Sequence, residues 1–198
     1  MTKIRSYLGK NLHWYTLLLA IICATATVGY IAYKNGGIFT YYGDYNCQQI
    51  CFYMHTHEMV KTGQIGWDWY TDLGANFIGS YSFYLLFSPF FWLTLPFSTE
   101  TVPYLMAPLF VLKFSVSALT AYFFYIRFVN DKRFAVIGGL LYAFSGYCIY
   151  DVFFNHFLDV VAFFPLILIG LEMLITFAGI AIFAGLTMYD AQKIKMLA

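Results

Sequence analysis

Two separated stretches of this chain collect the side chains that chemistry needs: Asp44, Gln48, Asp68 and Asp72 in the first, and Asp151, Asn155, His156 and Asp159 in the second. A carboxylate can take a proton from a hydroxyl or hold a cation, and an amide or imidazole can bind a polar substrate. Asp44 and Gln48 stand four apart, so on a helix they would point a carboxylate and an amide into the same space. The same residues have plainer uses. Asp44 follows Gly43 where a helix begins and is equally suited to capping it. His156 and Asp159, three apart at another helix start, suit capping and solvation, and Trp67 and Trp69 suit anchoring at headgroup level. His55, His57 and Glu58 make a metal ligand set only on a strand, because on a helix the two imidazoles diverge. No CxxC or Cys/His zinc spacing occurs, and neither a metal nor another cofactor is expected. Cys47 and Cys51 are either a strained disulfide or incidental thiols.

The elements that must position these residues lie in lipid. With 61% hydrophobic and 11% charged residues in 198, the chain is too apolar for a soluble domain. The expected fold is an all-α, polytopic transmembrane helix bundle in a plasma membrane. A net charge of +1 gives no reason to expect a nucleic-acid partner. Residues 14–33 carry no charge and match a hydrocarbon core of about 30 Å. Lys3, Arg5 and Lys10 precede them, so residues 1–13 are expected in the cytoplasm, as the flank of an uncleaved signal anchor. Residues 34–103 then form an outer loop. Within it, 44–61 lack Gly and Pro and predict an amphipathic helix along the membrane surface, and 63–79 are turn-rich.

Residues 81–97 are apolar but broken by Ser88-Pro89 and closed by Leu95-Pro96. If they cross, Arg127, Lys132 and Arg133 fall outside, against the positive-inside rule. Read instead as a bent juxtamembrane element, they let 104–128 run inward and 134–150 outward. Every basic cluster is then cytoplasmic, and 151–159 join the first loop on the outer face. Residues 160–186, with Glu172 inside, are long for one span and short for two; Lys193 and Lys195 direct their end to the cytoplasm. Lys113 falls about nine residues into an apolar span, where charge is costly. It meets a lipid-linked phosphate, pairs with Glu172 at a broadly similar depth, or snorkels in a structural role.

A family resemblance rests on Gly43-Asp44-Tyr45-Asn46-Cys47-Gln48, Gly66-Trp67-Asp68-Trp69, Leu73-Gly74, Ser88-Pro89, Lys113, the run from Tyr142 to Tyr147, and the run from Pro165 to Glu172. Over residues 10–174 the chain resembles the N-terminal part of YfhO-type bacterial membrane proteins, which look like GT-C glycosyltransferases. The resemblance implies a GT-C-like N-terminal portion with a juxtamembrane helical outer loop. It also implies transfer of sugar from a polyprenyl-phosphate carrier to an extracytoplasmic cell-envelope acceptor such as teichoic acid. Asp44 matches the catalytic aspartate of the first outer loop, and Gln48, Trp67, Asp68, Lys113, Asn155, His156 and Asp159 become substrate-binding candidates, with Lys113 and His156 toward the carrier phosphate. Some relatives in the wider fold use a metal ion, which would make Asp44 a ligand instead.

The family has many more helices and usually an outer C-terminal domain, so a missing domain or membrane subunit is an expected partner, and the chain alone is expected to be inactive. Residues 175–198, with Tyr189-Asp190-Ala191-Gln192-Lys193, are similar to the last helix of the Bax inhibitor family. That similarity implies an alternative ion site at Asp190 in a pH-sensitive calcium leak protein. A junction near Leu174, in a fused, truncated or mis-assembled reading frame, would account for the two resemblances. A non-catalytic membrane scaffold is the third reading.

Overall fold

The computed structural model describes residues 11–197, with side chains through Tyr189. Lys3, Arg5 and Lys10, and the side chains of Asp190, Lys193 and Lys195, lie outside the described residues. Among the described residues, four helices are long and apolar enough to cross a membrane: Leu12–Lys34, Thr99–Tyr125, Lys132–Phe154 and Phe157–Tyr189. The protein is an all-α bundle in which they carry the connecting loops.

Helix α1, Leu12–Lys34, buries Thr16, Ala20, Ala24, Val28 and Ala32, one residue in four. Small side chains at that spacing let helices approach closely where lipid offers no hydrophobic drive to pack. A π-helical turn at Thr25–Gly29 interrupts it, beside Thr27, whose hydroxyl donates back to the Cys23 and Ala24 carbonyls at 3.0 and 3.1 Å. Helix α5 (Val102–Tyr125) and helix α6 (Lys132–Ala143) run antiparallel, with Phe114 stacked on Phe144 and Gly139 against Ala118. Their turn is closed by Asp131, which accepts from the Arg133 amide at 2.9 Å and caps α6. The Arg133 guanidinium bound to the same carboxyl holds it down at about 2. Leu12, Tyr122, Ile126 and Ala135 meet at this end, so α1 begins beside the loop that carries Arg127, Lys132 and Arg133.

The opposite end holds the loops. A π turn at Tyr45–Gln49 leads into α2, Ile50–Thr62, which stops at Gly63 in the left-handed region (φ 72°). A two-stranded hairpin follows, β1 (Trp67–Asp68) antiparallel to β2 (Ala75–Asn76), within the stretch expected as turns. Next come α3 (Phe77–Leu86) and α4 (Pro89–Trp92), separated at Ser88. Proline has no N–H to continue α3 and drives Ser88 into an extended conformation, where its hydroxyl accepts from the Phe91 amide at 3.3 Å. Each piece is too short to cross a membrane.

After α6, Ser145 caps the short α7 (Gly146–Tyr150), a 3-10 turn covers Asp151–Phe154, and α8 runs from Phe157 to Leu197. Pro165 leaves the Val161 carbonyl without its helical donor, and the Tyr142 phenol supplies one at 2.9 Å. This contact joins the two late runs of the family resemblance. Helix α8 is parallel to α5: Lys113 meets Asp159, Thr120 donates to Ala162 at 2.8 Å, and Arg127 meets Glu172. It is unbroken at Glu172, and its 41 residues extend about 60 Å.

Candidate functional site

The centre of the loop end is Lys113. Its side chain is 1% exposed, inside the apolar α5, and its ammonium lies 2.5 Å from Asp159 Oδ1, 2.6 Å from Asn155 Oδ1 and 3.0 Å from the Asn155 carbonyl. Two of its three N–H groups go to Asn155, and the Asp159 carboxylate lies in direct charge contact. A buried membrane charge is tolerated only with partners of this kind. The expected partner Glu172 is a correction: it takes a bidentate pair of bonds from Arg127 at 2.8 and 2.9 Å. Because α8 is parallel to α5, Glu172 sits about 20 Å further along the bundle than Asp159. Lys113 therefore does not snorkel; held by Asn155 and Asp159, it ties α5 to the start of α8.

His156 is a second correction. It is neither a cap nor solvated: its ring is buried among Phe83 (5.0 Å between centroids), Tyr84 (4.7 Å) and Phe157 (4.5 Å), and Nδ1 has no partner. Burial, and then the Lys113 charge, push its pKa down to about 4, so the imidazole is neutral at pH 7. Asp159, with its side chain 14% exposed, joins His156, Ser88, Phe83, Phe87 and Phe157 around a pocket of about 220 Å³. Tyr53 stands beside Asn155 and Ser88, and burial, helped by the Asp159 charge, raises its phenol well above the ordinary tyrosine value.

Tyr53 was not among the expected residues, yet a signal for it exists. Tyr45, Gln49, Tyr53 and His57, each four apart, form the buried stripe of this segment. Asp44 and Gln48 lie one position off it, exposed and half-buried. A π turn at Tyr45–Gln49 carries this stripe into α2, so Tyr45 and Gln49, not Asp44 and Gln48, face the interior. Asp44 makes no side-chain cap bond. It is fixed next to a joint: Gly43 has φ +59° with the Phe153 ring against its Cα, and Tyr42 stacks on Phe153 at 5.1 Å. The Asp44 turn and the 151–159 segment thus meet there. Asp151 is buried in the same turn, with one carboxylate oxygen unpartnered.

Trp67 and Asp68 stand apart from this cluster. Asp68 is buried and held within the protein: it accepts from His55 and Thr71 at 2.5 Å and from the Tyr70 amide at 2.9 Å. Burial works to raise its pKa, but the three donors outweigh it and hold the carboxyl below the usual aspartate range. It locks the hairpin to α2. Trp67 is largely exposed, edge-on to Trp69, with its indole over Gly74. His57 turns away from His55 to Thr99 and the Thr94 carbonyl, and no group of three or more potential metal ligands exists among the described residues. Cys47 and Cys51 are free thiols.

Four crossing-length helices, a charge pair buried between two of them and polar loops gathered at one end define a polytopic membrane protein. Residues 16–188 match the family described as bacterial membrane protein YfhO, and the chain belongs to that family. The matched region continues past Leu174. No curated protein and no solved structure matches the chain.

Proposed function

We propose that the chain carries part of a GT-C-type glycosyltransferase site, which moves a sugar from a polyprenyl-phosphate carrier to a cell-envelope acceptor such as teichoic acid. The end bearing Arg127, Lys132 and Arg133 lies in the cytoplasm with the N-terminus, and Asp44 faces outward. Family membership supports a glycosyltransferase-like role at the level of the family. The observation that carries the reading is the joint between the Asp44 turn and the Asp151–Phe154 turn, which sets an exposed carboxylate above a buried, charge-paired cluster.

In this reading Asp44 accepts the proton of the acceptor hydroxyl as its oxygen attacks the anomeric carbon, and the bond from that carbon to the carrier phosphate breaks. Lys113 does not touch the carrier; it positions Asn155 and Asp159. In membranes that also hold the missing domain or subunit, replacing Asp44 by Asn should lower radiolabelled sugar transfer by about 10²-fold or more, in line with loss of a general base. Equal incorporation by the variant would remove Asp44 from the mechanism.

A further inference from the structure

Beside the 220 Å³ polar pocket lies a second pocket, of about 470 Å³, lined by Ile65, Phe77, Ile78, Leu86 and Trp92. Phe87 lines both and is itself 84% exposed, so one ring forms a shared wall between a polar and an apolar recess. The two recesses call for different parts of one molecule. The apolar side offers only hydrocarbon and aromatic surface, apart from the Ser82 hydroxyl, which is turned back to the Ile78 carbonyl.

The polar side is lined by Asp159, an acceptor, by Ser88, whose oxygen accepts from the Phe91 amide and which also faces the Tyr53 phenol, and by His156, whose Nδ1 has no protein partner. Its charge matters most. Lys113 pairs with Asp159 and does not line the pocket, so an entering phosphate would meet a carboxylate, a neutral imidazole and aromatic rings. Desolvating an anion there has no compensation. Hydroxyl groups, which both donate and accept, match the Asp159 carboxylate and the His156 imidazole.

We propose that the two pockets sharing Phe87 bind a single membrane lipid whose headgroup is uncharged and rich in hydroxyls, with its chain along the Ile78–Trp92 side and its head against Ser88, His156 and Asp159. This deepens the transferase reading by naming a class of acceptor lipid, and rests on that reading only for the lipid's role. The test is retention of lipid by the purified chain, followed by native mass spectrometry after exposure to equal amounts of a monoglycosyl diacylglycerol and phosphatidylglycerol, with methyl glucoside as a tail-less competitor.

The neutral glycolipid should be retained about tenfold over phosphatidylglycerol, and methyl glucoside at the same concentration should not displace it. Phe87→Ala, at an exposed position, and His156→Phe should each reduce retention about tenfold, with helical circular dichroism unchanged. Preference for phosphatidylglycerol, displacement by methyl glucoside, no lipid on the folded wild type, or full retention by the folded variants would each overturn the proposal. Asp44→Asn separates the two readings. Lipid retained while Asp44→Asn leaves transfer unchanged counts against the transferase reading alone, and transfer lost in Asp44→Asn with no lipid retained by the wild type counts against this site alone.

Discussion

Replacing Lys113 by Met will destabilise the protein by about 3–5 kcal/mol, because it leaves Asp159 and Asn155 facing an apolar α5 with no cation between them. The cost comes from the orphaned groups rather than from the net value of the pair: the attraction of Lys113 for Asp159 is largely offset by removing both charges from water. The double variant Lys113→Met, Asp159→Leu should therefore recover more than half of the loss. Unfolding followed by circular dichroism in detergent measures both. A double variant as unstable as the single one would show that Asn155, not the ion pair, needs the ammonium.

The second large effect belongs to the contact between α5 and α6. A Cβ added at Gly139 would stand 2.6 Å from the Ala118 carbonyl oxygen and 3.3 Å from the Tyr122 amide nitrogen, both backbone atoms that cannot rotate away. Ala20 and Ala143 pack at the same level, so three helices converge on small side chains. Gly139→Leu should cost about 3 kcal/mol, the upper end of the usual range for overpacking. Gly170, on the open face of α8 with nothing within 4 Å, is the control: Gly170→Ala should be neutral, or stabilising by up to about 1 kcal/mol through helix propensity. Equal responses at the two glycines would contradict close packing at Gly139.

The long apolar helices, the helix after Asp44 and the break at Ser88-Pro89 were legible because each follows from a local property: hydropathy over some twenty residues, absence of Gly and Pro, and the missing amide of proline. What escaped depends on relations between elements. Lys113 and Glu172 have similar depth within their own apolar runs, but the parallel course of α8 beside α5 brings Asp159 to Lys113 and gives Glu172 to Arg127. The inner face of the Tyr45–Thr62 segment is displaced by one residue from the Asp44–Gln48 face, because Tyr45, Gln49, Tyr53 and His57 are the residues this segment buries against the bundle. Asp68 reads as an exposed loop carboxylate until the hairpin brings Thr71, Tyr70 and His55 around it. A polar residue in a polar stretch says nothing by itself about whether it faces water or closes a turn.

The central claim is that the Asp44 turn and the Asp151–Asp159 segment share the outer face, with the Arg127–Arg133 end inside. Its most direct test is labelling with a membrane-impermeant maleimide in intact cells, on a background in which Cys23, Cys47, Cys51 and Cys148 are replaced by Ser or Ala. Asp44 and Asn130 are exposed at opposite ends of the bundle. Asp44→Cys should label fully in intact cells, and Asn130→Cys only after permeabilisation. Labelling of Asn130→Cys from outside, with Asp44→Cys protected until the cells are opened, would contradict the account.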